Sequence, residues 1–120
     1  MIENDSDLGA IARAALEVAG HDVEVARTVD EAKSHCAAAP PDLALVDLFL
    51  TGESGWDFVR WARSEPGHIR LATYSVHADE PEHAAIGKEL RVDAMLVKTG
   101  DPVELVRVVR ALLTSSAKSA

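Results

Sequence analysis

An unbroken apolar run, Leu43-Ala44-Leu45-Val46, ends abruptly at one carboxylate, Asp47. Pro40-Pro41 stands before the run, and the apolar Leu48-Phe49-Leu50 leads from Asp47 into Thr51-Gly52-Glu53-Ser54-Gly55. A run this short, bounded by proline and glycine, reads as a strand buried on both faces. Strands of that kind belong to parallel sheets covered by helices on both sides. Open α/β sheets place their ligands at the carboxyl ends of such strands. A lone carboxylate there is costly to bury unless it is paired or chemically employed. The working expectation is that Asp47 accepts a phosphoryl group, as a nucleophilic carboxylate can.

The rest of the chain supplies the layers. Met1-Ile2 reads as the stump of a first strand, and Leu8 to Ala19 carries a helical stripe of Leu8, Ile11, Ala15, Leu16 and Ala19, stopped by Gly20. Asp22-Val23-Glu24-Val25-Ala26 alternates with period two, as a short strand does. Thr28 with Glu31 forms a capping box for a helix through about Ala38. Past the Asp47 strand, Gly55 to Ala62 predicts a helix with Trp56, Phe58, Val59 and Trp61, and the two tryptophans, five apart, do not share a face. Pro66-Gly67 predicts a turn and Ile69 to Tyr74 a fourth strand; a weaker helix over Pro81 to Leu90 and a strand at Ala94 to Val97 follow. Asp101-Pro102-Val103-Glu104 opens a last helix to about Leu113. Strands alternating with helices over short connections predict a three-layer α/β sandwich with right-handed crossovers.

At 120 residues, 48 % of them apolar, the chain makes one domain with a real core, expected over 1–113, with 114–120 as a small, polar tail. No apolar run approaches the ~20 residues of a membrane span. The start, Met1-Ile2-Glu3-Asn4-Asp5, lacks the basic and apolar regions of a secretion signal. One cysteine, Cys36, excludes an internal disulfide and suits a reducing compartment, so the expected location is the cytoplasm. A net charge of −8 argues against direct contact with nucleic acid or an anionic membrane.

Polar residues gather at the strand ends: Glu3, Asn4 and Asp5 after the first, Asp47 after the third, Ser75 after the fourth, Lys98 after the fifth. A doubly wound sheet brings these ends to one crevice. Acids and a backbone carbonyl there suit Mg²⁺, a hard cation that takes oxygen ligands. A hydroxyl and an ammonium can bind the oxygens of a new phosphate. The histidines show no i, i+4 pair on a helix face, and Cys36 reads as a small apolar helix residue. No Gly-rich phosphate loop or GxSxG elbow points to an enzyme of another class on the same fold.

The ordered set Glu3-Asn4-Asp5 with Leu8, PDLALVDLFLTGESG, the Ser75 strand end and Leu96-Val97-Lys98 resembles a receiver domain of bacterial two-component response regulators. The resemblance covers nearly the whole chain. It implies a five-stranded parallel sheet of flavodoxin-like order 2-1-3-4-5, a non-enzymatic switch, and a phosphoprotein that uses magnesium. Residue by residue, it implies that Asp47 takes a phosphoryl group from a histidine kinase or phosphotransfer protein. Glu3 and Asn4 match the acidic pair that organises Mg²⁺, with Asp47 and the Phe49 carbonyl as further ligands. Ser75 matches the hydroxyl that turns toward the phosphate, and Lys98 the lysine paired with the phosphoacceptor. An effector protein or domain, or a second copy, would meet the face carrying Met95 and the last helix.

The sequence departs from that pattern at several places. Asn4 stands where the family has its directly metal-binding Asp, so weaker Mg²⁺ binding is expected. Thr99 replaces the Pro after Lys98, so a trans bond or a rearranged loop is expected there. Met95 lacks the switch aromatic, and Thr51 replaces a frequent Pro. Only Met1 and Ile2 precede the acidic pair, although that strand belongs mid-sheet, between the second and third. A truncated start, another segment or a second molecule must answer for the missing length. These departures motivate the competing expectation, a degenerate receiver that binds protein without phosphorylation.

Overall fold

The computed structural model describes residues 1–65, 69–76 and 80–115. In chain order its elements are α1 (Ser6–Val18), α2 (Val29–Ala38), β1 (Leu43–Val46), β2 (Phe49–Leu50), β3 (Glu53–Ser54), α3 (Gly55–Ser64), β4 (Arg70–Ser75), α4 (Pro81–Glu89), β5 (Ala94–Val97) and α5 (Pro102–Ser115). The apolar run of the opening argument is β1. It pairs in parallel with β4, Leu43 opposite Arg70 and Val46 opposite Thr73. β4 pairs in parallel with β5, Ala72 opposite Ala94 and Ser75 opposite Val97.

On the other side of β1, Ile2 bridges Val46 and Ala26 at once, in parallel with both. The expected order 2-1-3-4-5 therefore holds, with its first two strands reduced to bridges. The Ile2 N–H donates to the Leu45 carbonyl at 2.8 Å and the Asp47 N–H to the Ile2 carbonyl at 3.0 Å. The stretch Asp22–Ala26, expected as a strand, forms a bridge only at Ala26. Ile2 is the one residue that bridges it among the described residues, and a strand needs a ladder.

Two further differences concern local geometry. Phe49–Leu50 and Glu53–Ser54 pair antiparallel across a turn at Gly52, whose φ is +77°. No period-two pattern marks so short a hairpin. The α1 stripe also turns differently: Gly9, Ala12 and Leu16 face inward, while Leu8 and Ile11 are 39 % and 54 % exposed. The Asp5 carboxylate caps α1, accepting from the Asp7 and Leu8 amides at 3.0 Å. Small residues on the inner face then let the helix lie close to the sheet, where a Cβ on Gly9 would meet the Glu3 side chain at 3.6 Å.

The other helix signals act as written. Thr28 Oγ1 accepts from the Glu31 amide at 3.1 Å, and Asp101 Oδ1 from the Val103 amide at 2.9 Å. Trp56 is buried and Trp61 half-buried, as their spacing predicts. α5 runs through Ser115, past the expected end at Leu113. The Pro66-Gly67 turn and residues 116–120 of the expected tail lie outside the described residues. Two apolar layers sandwich the sheet. Val29, Ala32, Phe58 and Val59 pack on one side with Val46 and Leu71; Ala12, Leu16, Leu105 and Val109 pack on the other with Leu45 and Ala72.

Candidate functional site

The sheet gathers the expected residues at its carboxyl edge. Glu3, Asp47 and Ser75 are 3 %, 6 % and 1 % exposed, so three polar side chains are withdrawn from water beside one another's strands. Each stands where a strand or strand stub stops: Glu3 after Ile2, Asp47 after β1, Ser75 at the end of β4. The next strand end supplies Lys98, whose amide donates to the Ser75 carbonyl at 2.9 Å.

The Lys98 ammonium joins the acids. It donates to Glu3 Oε1 and, at 3.1 Å, to Asp47 Oδ2. These contacts link residues 95 and 51 apart in sequence, and only the parallel topology can make them. Asp47 Oδ1 accepts from the Phe49 amide at 3.0 Å, and Glu3 Oε2 from the Asp5 amide at 3.4 Å. Burial pushes the Glu3 carboxyl above its usual range; Lys98 pulls it down, but the neighbouring Asp47 raises it again. Burial works to lower Lys98, yet the two carboxylates outweigh it and hold the ammonium above its ordinary value. Two acids and one cation leave the pocket with one formal negative charge.

All the donors proposed for a metal, the Glu3 and Asp47 carboxylates, the Asn4 amide oxygen and the Phe49 carbonyl, are oxygens, and that set suits Mg²⁺. Asp5, beside Asn4, caps α1 through its Oδ1, which accepts from the Asp7 and Leu8 amides. A different group of possible ligand atoms, from Glu80, Glu82 and His83, lies at the start of α4. There His83 Nδ1 already accepts from the Trp56 indole N–H at 3.1 Å.

Three features of the site were not read from the sequence. The Tyr74 ring lies beneath Lys98, 5.2 Å from centroid to Nζ. Tyr74 directly precedes Ser75, and that adjacency was the only available signal. His83 stacks on Trp56, with centroids 6.2 Å apart, and meets Phe49 edge-on at 5.3 Å, joining α4 to the loop after Asp47. No local pattern links residues so far apart. Gly55 lies against the Asp47 backbone, where a Cβ would fall 2.1 Å from the Asp47 carbonyl oxygen. Met95 packs against α4, its sulfur 2.4 Å from where a Cβ on Gly87 would lie. Among the described residues no peptide bond is cis, so Lys98–Thr99 is trans, one of the two outcomes expected without a proline.

A doubly wound sheet with a lysine-bridged acid pair at its carboxyl edge defines the class, a CheY-like α/β fold. The sequence pattern of the response regulator receiver domain matches residues 1–110, and the chain belongs to that family. It is 32 % identical over 119 residues to the transcriptional regulatory protein GltR of Pseudomonas aeruginosa, covering 94 % of this chain and 47 % of the relative. It is 30 % identical over 114 residues to the phosphate regulon transcriptional regulatory protein PhoB of Rhizobium meliloti, covering 94 % and 50 %. The chain thus spans about half the length of the curated relatives it matches. Its fold is similar to that of a CheY-like receiver domain protein from Methanospirillum hungatei, with TM-score 0.90 and 21 % identity over 99 % of this chain and 94 % of that one. The receiver domain of NtrX from Brucella abortus superposes with TM-score 0.84 at 18 % identity, covering 95 % and 96 %. No helix among the described residues is long and apolar enough to cross a membrane.

Proposed function

We propose that this receiver domain is a phosphorylation switch with Asp47 as its acceptor. The observation that supports this reading best is the Lys98 ammonium shared between Glu3 and Asp47 in a buried pocket. A carboxylate oxygen of Asp47 attacks the phosphorus of a phosphohistidine on a histidine kinase or phosphotransfer protein. The new P–O bond gives an acyl phosphate, the P–N bond breaks, and the departing imidazole keeps its electron pair and takes a proton. Lys98 balances charge on the transferred group, and the Ser75 hydroxyl donates to one of its oxygens. Glu3, Asn4, Asp47 and the Phe49 carbonyl would hold Mg²⁺, which supplies electrostatic stabilisation of the phosphoryl oxygens. The loss of the Lys98–Asp47 contact as it stands biases the end of β5 and the α4–β5–α5 face, where an effector or a second copy docks.

The test is saturating acetyl phosphate or beryllofluoride with Mg²⁺, followed by intact mass or fluorine resonance. An adduct that maps to Asp47 and disappears in Asp47→Asn is the expected result. No adduct at saturating donor overturns the reading. A second reading, a protein-binding module that works without phosphate, is favoured by Asn4, an amide where the receiver pattern has a metal-binding acid. It predicts that Mg²⁺ leaves the fluorescence of Trp56 and Trp61 unchanged.

A further inference from the structure

Leu45, Ala72 and Leu96 pack in the α1–α5 layer. Asp47, Tyr74 and Lys98 each follow one of them by two residues, the period of a strand, and so share its face of the sheet. The strands concerned are β1, β4 and β5, with β4 in the middle. The Lys98 side chain therefore crosses β4 to reach Asp47, a path of roughly two strand spacings, or ~10 Å. It completes that path, with Nζ 3.1 Å from Asp47 Oδ2. The residue it crosses is Tyr74: Nζ lies over that ring, 5.2 Å from the centroid.

The sheet and the helices fix the ring in that place. In the β4–β5 register Tyr74 lies opposite Leu96, so Lys98 is its diagonal neighbour, within reach of an aromatic or a long side chain. The ring is half-buried and packs against the layer of Leu16, Leu45 and Leu105, which keeps it under the lysine. The ammonium donates to Glu3 Oε1 and Asp47 Oδ2. An aromatic ring whose centroid lies within about 6 Å attracts the same charge. Burial pushes the Tyr74 phenol above its ordinary value; Lys98 opposes this, and Glu3, Asp47 and Glu104 add to it. At neutral pH the ring thus meets the ammonium as an uncharged π surface and adds no further anion to the pocket.

We propose that Tyr74 is the positioning residue for Lys98: its ring supports the ammonium where it crosses β4 and holds it between Glu3 and Asp47, within reach of the group that Asp47 accepts. Tyr74 touches no reacting atom and acts through the lysine alone. Lysine is a point charge on a flexible four-carbon stem, and a ring under its path removes much of that freedom before the phosphoryl group arrives. Leucine at this position fills the apolar layer but offers no π face, so the ammonium turns toward water. Phenylalanine keeps the face and loses only the hydroxyl. The role in phosphotransfer rests on Asp47 as the acceptor; the hold on Lys98 does not.

The test is a double-mutant cycle between Tyr74→Leu and Lys98→Met, read by urea denaturation of the full chain without Mg²⁺. Tyr74→Leu is expected to lower the folding constant about fivefold more in the parent than in Lys98→Met. Equal losses in the two backgrounds reduce Tyr74 to packing and overturn the proposal. Proton resonances of the Lys98 ε-methylene are expected upfield, under the ring, in the parent and in Tyr74→Phe; ordinary positions there overturn it as well, even if Tyr74→Leu fails to fold. Beryllofluoride with Mg²⁺ is then expected to bind Tyr74→Phe as it binds the parent, and Tyr74→Leu about fivefold more weakly. Equal binding by Tyr74→Leu overturns the positioning role in phosphotransfer. No adduct in the parent overturns Asp47 as acceptor, and that role of Tyr74 with it, while the cycle and the methylene shift still decide the hold on Lys98.

Discussion

At the scale of single residues, the pocket depends on Lys98. Replacing it with Met leaves Glu3 and Asp47 as buried neighbours with no cation between them, which is expected to cost on the order of 3 kcal/mol at neutral pH. The pH dependence separates this from lost packing. In the parent chain the Lys98 pKa is raised above 10.5, so its stabilisation is complete below 10.5 and is lost as pH climbs through the folded value. The Lys98→Met chain lacks that alkaline decline. Glu3 is raised above 4.5, and removal of Lys98 takes away the group that pulls it down. Protonation of Glu3 then relieves the like-charge contact, so the deficit of the variant shrinks as pH falls toward 4.5. Urea denaturation across the pH range, without Mg²⁺, checks both limbs, and a deficit that stays constant with pH counts against the electrostatic account. Gly55 is constrained by space instead. In Gly55→Ala the new carbon meets backbone, including the Leu48 Cα at 2.9 Å, which cannot swing aside. A loss of about 3 kcal/mol is expected by the same measurement.

Among the elements, one guanidinium joins three. Arg63 on α3 donates at 2.9 Å to the carbonyls of Leu90 and Arg91, beyond α4, and of Ile69, before β4. A lysine has no planar fork and cannot serve three diverging carbonyls. Arg63→Lys is therefore expected to lose about 1–3 kcal/mol, with faster amide exchange where α4 meets β5. Contacts of this kind also mark where the sequence stopped being informative. Thr28 and Asp101 announce their helices because a cap acts within about three residues. β1 announces itself because both its faces are covered and the whole run is apolar, and β5 by its apolar run alone, since it is only half-buried. Asp22–Ala26 alternates as a strand should, yet pairing is a property of two segments, and among the described residues only the Ile2–Ala26 bridge pairs it. The α1 stripe misled for a related reason: Leu8 and Ile11 are larger, but the closeness of the sheet selects Gly9 and Ala12. At the site, the acid, the hydroxyl and the amine were legible because each ends a strand. Tyr74 and His83 were not, because a ring placed over another residue leaves no local pattern.

For the molecule as a whole, charge decides how the proposed switch couples to stability. The chain carries −8, and its pocket is already one charge negative with Lys98 as the cation at its centre. A phosphoryl group adds roughly −1.5 to −2. Placed there alone, it repels Glu3 more than one ammonium can offset, so an adduct without a divalent cation is expected to destabilise the fold or not to form. With Mg²⁺ the sign reverses, because a ligand that binds only the folded chain stabilises it by mass action. At a hundredfold excess over its dissociation constant the gain is about 2.7 kcal/mol. Beryllofluoride with Mg²⁺ should therefore raise the thermal midpoint on the order of 10 °C, whereas beryllofluoride or Mg²⁺ alone should raise it far less. Asp47→Asn should abolish the joint effect while keeping the fold, since an amide still accepts from the Phe49 N–H. High salt should barely change the shift, because a pocket this buried is poorly screened. A midpoint that rises equally in Asp47→Asn, or that collapses in salt, would place the bound anion on the surface of the chain and away from the lysine-bridged acids.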